Sequence, residues 1–171
     1  MFGLGKDDMA KKRIQNSIGD IYYVTLEDGA RIYLQYVAID TEQLYSPVIR
    51  VFKRKYLPYE EASLEEVVCG EVLFYAHTSL RIAAREGWWK KVGSSKNLGN
   101  LDDIKFRLYS EGNTNHLTVS HKWYVWTINQ KYIHIGDLVG EYKTYSMGYV
   151  YPPYAVYQKI ITGMYPFHEL K

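Results

Sequence analysis

The sequence predicts an α+β fold: a mainly antiparallel, strongly twisted sheet or a partly open barrel, with two or three short helices. From Gly19 onward, short segments of β-forming residues alternate with turn sequences. The chain contains 18 tyrosines, a residue that suits the half-buried surface of a sheet. The segments with helical composition are short.

The first strands are predicted around a hairpin. Residues 20–26 and 30–39 are rich in β-forming side chains and flank Asp28-Gly29, a dipeptide typical of tight hairpin turns. A third strand is predicted near 47–53, with Pro47 at its first position, where a missing backbone donor is tolerated.

The middle of the chain mixes helix and strand signals. Ser63 to Glu66 has the pattern of a capping box, which predicts the start of a short helix. Next come a strand at 71–78 and a helical turn at 79–86, which Gly87 ends. We then expect a strand at 88–92, with one of its two tryptophans facing the core and the other facing outward.

The second half begins with a short alternating strand at 104–109 and a polar, exposed loop at 110–120. Residues 122–136 predict a strand pair, with Trp123 and Val125 on the opposite face from their neighbours. A final helix is predicted after Pro152-Pro153, ending at Gly163.

Length and composition indicate a single globular domain over residues 18–171, preceded by a flexible lead-in over residues 1–17. Hydrophobic residues make up 47% and charged residues 23%, as in folded proteins. The single cysteine, Cys69, excludes an intrachain disulfide. With no apolar leader and no run of membrane-spanning length, we expect a cytoplasmic protein without membrane contact.

The sequence shows no arrangement typical of catalysis or metal binding. The five histidines are scattered, and no Gly-x-Ser-x-Gly elbow is present. They are His77, His116, His121, His134 and His168. Gly93 to Gly99 superficially resembles a phosphate-binding loop but lacks the Gly-Lys-Ser/Thr ending. We therefore expect a protein that is not an enzyme and has no metal or cofactor.

The balance of charge argues against general binding of nucleic acids. Lys plus Arg is 21 and Asp plus Glu is 19, a net charge of +2. Locally, residues 53–56 and 88–96 combine lysines or arginine with aromatic rings, which is the chemistry that binds single strands. The alternative function is therefore a nucleic-acid or small-ligand binding module that uses these two stretches.

Five segments of the chain resemble a known family in their order and composition. They are Gly19-Asp20-Ile21-Tyr22-Tyr23-Val24, the hairpin at Asp28-Gly29, the strand ending near Val51-Phe52, Val72-Leu73-Phe74-Tyr75, and Gly87-Trp88-Trp89-Lys90-Lys91-Val92-Gly93. Together they make residues 18–100 similar to the bacterial immunity protein 26 family. The resemblance implies a cytoplasmic α+β protein without catalytic activity that binds and neutralises a toxin, and it assigns no individual residue a role.

The predicted function is therefore protein–protein association with a cognate polymorphic toxin. Aromatic residues are enriched at interface hot spots, and those next to predicted loops are the candidate anchors. The partner-binding candidates are Tyr56, Tyr59, Trp88, Lys91, Lys96, Trp126, Tyr149 and Tyr151. Exposed Tyr-rich strands could also pair two copies of the chain as a homodimer.

Overall fold

A computed structural model of the chain describes residues 15–112, 114, 116–167 and 169–171. Most of the predicted lead-in, residues 1–14, lies outside the described residues. Two of its last residues contact the fold. Asn16 accepts a hydrogen bond from the Tyr22 hydroxyl at 2.8 Å, and the Ser17 backbone N–H donates to the Asp20 carboxylate at 2.8 Å.

The described residues form ten strands and three α-helices. The strands are β1 (Asp20–Thr25), β2 (Arg31–Asp40), β3 (Ser46–Tyr56), β4 (Val72–Thr78), β5 (Lys90–Ser94), β6 (Lys105–Tyr109), β7 (Trp123–Thr127), β8 (Ile133–Gly136), β9 (Ser146–Met147) and β10 (Val150–Tyr151). The helices are α1 (Leu64–Val68), α2 (Leu80–Glu86) and α3 (Pro153–Thr162), with 3-10 turns at Leu101–Asp103 and Gly140–Thr144. In this part of the chain, no helix has the length and apolar character needed to cross a membrane.

The strands are arranged in two sheets. The first sheet has the order β10-β4-β3-β2-β1-β5, and the second has the order β8-β7-β6-β9. Most pairs are antiparallel, but β10 with β4 and β6 with β9 are parallel. The predicted α+β class with a twisted sheet is confirmed, and among the described residues neither sheet closes into a barrel.

The first hairpin has the predicted turn. Gly29 has φ +80°, and the Ala30 N–H donates to the Asp28 carboxylate at 3.1 Å, so the turn is fixed by these two residues. The third strand is longer than predicted, and Pro47 is its second residue instead of its first.

Two helices begin and end where local signals place them. The Ser79 side chain caps α2 by accepting from the Ile82 N–H at 3.3 Å, and Gly87 ends the helix with φ +73°. Pro153 is the first residue of α3, and Gly163 ends it with φ +80°.

The capping box of α1 is not formed. Ser63 precedes the helix, but its hydroxyl donates to the Glu65 carboxylate at 2.9 Å, and its oxygen caps no backbone N–H. The helix is instead held by burial of Val67 and Val68.

The two sheets share one hydrophobic core. Its buried side chains include Val48 and Ile49 of the first sheet and Phe106 and Trp123 of the second. A smaller cluster on the other face of the first sheet packs against α1, and it is formed by Ile21, Tyr33, Phe52, Tyr56, Val67 and Val68. The centre of the first sheet, at β2, is therefore buried on both faces, which explains the nearly continuous apolar sequence of this strand.

Candidate functional site

Three of the predicted aromatic anchors are buried. Tyr56, Trp126 and Tyr151 expose only 3%, 2% and 3% of their surface. Tyr56 packs edge-on against Tyr33, and Tyr151 stacks on Tyr165 with ring centroids 3.5 Å apart. The structure corrects the expectation that these rings are accessible, because residues distant in sequence cover them.

The other predicted partner-binding residues are dispersed. Tyr59 is 80% exposed and Tyr149 is 38% exposed, while Trp88 is half-buried. Lys96 is exposed, and the Lys91 ammonium pairs with the Asp20 carboxylate at 2.7 Å. Trp88 and Tyr149 line separate cavities, so the candidates do not form one site.

The double tryptophan precedes its strand. β5 begins at Lys90, so the predicted strand at 88–92 is displaced by two residues. Trp89 is buried next to Tyr22, with ring centroids 6.2 Å apart, whereas Trp88 packs against Tyr157 beside a groove of about 500 Å³. One tryptophan therefore lies in the core and the other partly faces solvent, as predicted.

The loop after β5 is held by a buried arginine. Arg50 is 4% exposed, and its guanidinium donates to the Asn97 carbonyl at 2.8 Å, the Val68 carbonyl at 3.1 Å and Gln35 Oε1 at 2.9 Å. The Gln35 amide in turn donates to the Ser95 carbonyl. The loop that resembles a phosphate cradle therefore has a structural anchor beneath it.

The basic run 53–55 is neutralised by carboxylates. Lys53 pairs with Glu71 at 2.9 Å, Arg54 with Glu60 at 3.2 Å, and Lys55 with Asp28. These pairs are exposed and therefore weak, but they reduce the positive charge that a phosphate would meet.

The largest cavity lies against the second sheet. We name it the C-terminal cavity; its volume is about 770 Å³, and its wall includes Arg107, Val119, Tyr165, Phe167 and Glu169. Its size is in the range of pockets that hold small ligands or anchor side chains. Two smaller cavities adjoin it: one shares Phe167 and Glu169, and the other shares Arg107 and Glu169.

The C-terminal segment forms one wall of this cavity. Tyr165 and Leu170 are buried, with 5% and 3% of their surface exposed. Two backbone hydrogen bonds fix the end of the segment: the Ser120 N–H donates to the Lys171 carbonyl at 3.0 Å, and the Lys171 N–H donates to the Thr118 carbonyl at 2.9 Å. The segment is therefore an anchored part of the site.

Apolar side chains surround the cavity. Val119, Met164 and Phe167, which we name the apolar rim, expose 49%, 71% and 46% of their surface. On the adjoining cavity, Tyr149 and Val150 are also exposed, by 38% and 49%. Exposed apolar groups gathered around a cavity are typical of a binding surface.

Two cations lie partly buried beside the cavity. The Arg107 guanidinium donates to the Tyr142 and Lys143 carbonyls and lies 5.5 Å from the centre of the Trp123 ring. The Lys159 ammonium lies 4.4 Å from the centre of the Tyr165 ring. Loss of solvent lowers the pKa of both groups from their ordinary values.

A serine, a histidine and an aspartate line the same cavity, yet they are not arranged for nucleophilic catalysis. The Ser120 hydroxyl donates to the Glu111 carboxylate and accepts from the Lys122 N–H, while the His121 imidazole bonds Asp137. Among the described residues, no hydrogen bond joins the serine hydroxyl to the imidazole, as an activated nucleophile requires.

A second acid–histidine pair is sealed between the sheets. His77 and Asp40 both have no exposed surface, and His77 Nε2 lies 2.9 Å from the Asp40 carboxylate. The Trp126 indole N–H donates to the same oxygen at 2.9 Å. Because water and substrate have no access, this cluster joins β2, β4 and β7 structurally.

Metal binding finds no support in the geometry. No group of three histidine, cysteine or carboxylate side chains that could hold an ion occurs within the described ranges. His168 lies outside them.

The residues of the C-terminal cavity were missed by the sequence reasoning. Arg107 lies in an alternating strand and Lys159 in an amphipathic helix, where a charged residue usually faces solvent. Tyr165 follows the glycine that ends α3, in a segment with no motif. Only the packing of distant segments brings the three together.

Comparison of the chain with protein-family models, with curated proteins and with solved structures gave no match.

Proposed function

We propose that this chain is a non-enzymatic binding protein that associates with another protein through the C-terminal cavity and its apolar rim. The rim is the observation that carries the proposal. Val119, Met164 and Phe167 keep about half or more of their surface in solvent around the largest cavity. A partner that covered them would gain the free energy of removing this apolar surface from water.

The partner we propose is a cognate protein toxin, which the chain neutralises in the bacterial cytoplasm as an immunity protein. The resemblance of residues 18–100 to the immunity protein 26 family supports this choice. The rim and most of the cavity wall lie beyond that stretch, between residues 107 and 171. The proposal thus places toxin contact in the part of the chain that the resemblance does not cover.

Two other functions receive less support from the geometry. Catalysis of the nucleophilic kind would need a nucleophile bonded to an accessible base, but the Ser120 hydroxyl bonds Glu111 and not the accessible His121–Asp137 pair, and the His77–Asp40 pair is sealed. Nucleic-acid binding through residues 53–55 would compete with a carboxylate at each cation. Lys96 and Trp88 are still accessible, so an oligonucleotide belongs among the ligands to be tested.

Co-expression with the toxin-like protein encoded in the neighbouring reading frame tests the proposal. Cells should survive with the wild-type chain, and Met164→Glu should abolish protection because a charge enters the interface. Tyr59→Ala, at a site 80% exposed outside the cavity wall, should protect fully. An interface of about 1,600 Å² with a few dominant anchors would show this contrast.

Two results would count against the proposal. Equal killing with and without the chain would refute toxin neutralisation. Loss of protection in Tyr59→Ala but not in Met164→Glu would place the interface elsewhere. Protein levels of both variants must match the wild type, so that a folding defect is not read as lost binding.

The edge of the second sheet offers the homodimer contact that we also propose. Ile133, the first residue of β8, and Tyr132 just before it are 66% and 49% exposed, and among the described residues β8 has a neighbouring strand on one side only. Two such edges could pair. Light scattering should then give twice the chain mass for the wild type and the monomer mass for Ile133→Lys; a wild-type monomer would contradict the dimer.

A further inference from the structure

We propose that one carboxylate side chain of the partner protein enters the C-terminal cavity where it meets the adjoining cavity that shares Arg107 and Glu169. Arg107, Lys159 and Tyr165 bind this carboxylate. This inference rests on the proposed function and specifies the chemistry of the partner. The bound residue is an aspartate or glutamate on an acidic, apolar-flanked segment.

The first argument is unbalanced charge. Neither the Arg107 guanidinium nor the Lys159 ammonium has a carboxylate of the described residues within 4 Å. Glu169 lines the same cavities, and its carboxylate accepts a hydrogen bond from the Tyr151 hydroxyl at 3.4 Å. Lys143, Lys171 and Asp137 also line these cavities and are exposed, so cationic side chains outnumber carboxylates there. This excess of positive charge suits an anion, because buried charges are usually paired.

The second argument is the set of unused hydrogen-bond donors. Arg107 Nε and the Tyr165 hydroxyl are buried and have no partner among the described residues. Both side chains line the C-terminal cavity, and Tyr165 is only 5% exposed. An unsatisfied buried donor destabilises the protein, so a ligand oxygen that accepted from these groups would recover the lost free energy. A carboxylate has two oxygens and accepts well from guanidinium.

The third argument is the mixed character of the walls. Arg107 lines the same cavity as the apolar rim of Val119, Met164 and Phe167, and Lys159 lines the adjoining cavity that shares Arg107 and Glu169. A free phosphate would leave the rim uncovered, and its second negative charge would face Glu169. A peptide that carries one acidic residue between apolar ones satisfies both the charge and the rim.

The pKa directions agree with this geometry. Desolvation lowers the pKa of Lys159, and although Glu169 opposes that effect, the Arg107 charge adds to it. Loss of solvent is therefore the main cost to the Lys159 charge, and a bound anion would offset it.

A peptide titration tests the inference without the toxin. The probe is an acetylated, amidated tripeptide with glutamate between two phenylalanines, followed through the ¹H–¹⁵N resonance of Arg107 Nε. The counterpart with glutamine in place of glutamate is the matched ligand, and inorganic phosphate and oligothymidylate are the competing anions. We expect saturable binding of the glutamate peptide only.

Variants that are expected to change peptide affinity in opposite directions distinguish a direct effect on binding from a structural effect. Measured by isothermal titration calorimetry, which needs no Arg107 resonance, Arg107→Gln and Lys159→Met should each weaken the peptide about tenfold or more, the loss expected for a charge-assisted hydrogen bond. Glu169→Gln should tighten it about threefold or more, because a competing negative charge is removed. Arg85→Gln, in the exposed Arg85–Glu86 pair, should leave affinity unchanged.

Equal binding of the glutamine peptide, tighter binding of phosphate or oligothymidylate at Arg107, or weaker binding in Glu169→Gln would overturn the inference. The two proposals fail separately. Peptide binding without protection from the toxin refutes the immunity function and leaves the anion site standing. Protection that depends on Met164 but is unaffected by Arg107→Gln refutes the carboxylate site alone.

Discussion

Arg50, which is buried, and Arg107, which is partly buried, show how two arginines in one small protein can serve different purposes. Neither has a carboxylate of the described residues within 4 Å, and loss of solvent lowers the pKa of both. Arg50 donates to three acceptors on three separate segments, those of Gln35, Val68 and Asn97. Within the described part of the chain, Arg107 donates only to the neighbouring Tyr142 and Lys143 carbonyls of one turn, and its Nε has no partner there.

The difference lies in the use of the donors, since both residues carry the same charge and both have a pKa lowered by loss of solvent. A guanidinium whose donors are distributed over separate segments holds those segments together. A guanidinium with an unused donor beside a cavity is available to a ligand. Burial alone therefore does not distinguish a structural arginine from a binding arginine.

The largest effect is expected at high pH, where three buried tyrosines lose their protons only in the unfolded chain. Burial raises the pKa of Tyr22, Tyr151 and Tyr165 well above the ordinary value near 10. Stability should be complete below about pH 10 and fall above it, by about 1.4 kcal/mol per tyrosine at pH 11, or about 4 kcal/mol in all. Urea unfolding at pH 8 and pH 11 measures the loss. Absorbance at 295 nm could show that all tyrosines ionise near pH 10 in the folded protein. The Tyr165 hydroxyl would then be accessible to water, and the cavity beside Arg107 would have no buried, unused donor from this residue.

The second effect compares the two arginines directly. Arg50→Met should lower the free energy of unfolding by about 3 kcal/mol, because three acceptors lose a charged donor. Arg107→Met should change it by less than about 1 kcal/mol, since a partly unsatisfied charge is removed together with its bonds. Urea titration of both variants gives the contrast, and equal losses would show that Arg107 is structural as well.

The third effect concerns the fully bonded carboxylate between the sheets. Burial alone would raise the pKa of Asp40, but hydrogen bonds from His77 and Trp126 outweigh burial and lower it. The stability from Asp40 should be present above about pH 4 and lost as the pH falls through the lowered pKa. Asp40→Asn should cost about 2 kcal/mol at pH 7 and less at pH 3. An equal cost at both pH values would contradict an ionised Asp40.

The smallest effects on stability are expected when two tyrosine hydroxyls are removed, and the two changes should have opposite signs. The Tyr22 hydroxyl donates to Asn16 at 2.8 Å, whereas the Tyr165 hydroxyl has no partner among the described residues. Tyr22→Phe should therefore lower stability by about 1 kcal/mol, and Tyr165→Phe should raise it by up to about 1 kcal/mol. Thermal melting of both variants at pH 7 measures the shifts; a loss in Tyr165→Phe would reveal a partner for that hydroxyl.

Features set by neighbouring residues could be predicted from the sequence. The turn at Asp28-Gly29 and both ends of α3 depend on glycine and proline at fixed positions, and all were correctly placed. The division into two sheets was not predicted, since the parallel pairing of β6 with β9 joins residues about forty positions apart. The alternation of apolar and polar residues in a strand does not reveal which other segments will pack against that strand.

The same limit explains the candidate site. Tyrosines beside loops were expected to be accessible to solvent. Tyr151, which precedes α3, is instead covered by Tyr165, which follows α3 in the sequence. Arg107 and Lys159 have the sequence context of ordinary surface charges, and their loss of solvent depends on the folded C-terminal segment. Sequence reasoning identified suitable residue types but could not determine their solvent exposure.

The strand order has a consequence for the newly synthesised chain. β10 completes the first sheet beside β4, yet the whole second sheet lies between them in sequence. As the ribosome releases the chain, β4 therefore keeps an unpaired edge until residue 151 has emerged. Such an edge invites association with other nascent chains. Slow elongation over residues 79–149 should prolong this vulnerable stage, and chaperone binding should be strongest there.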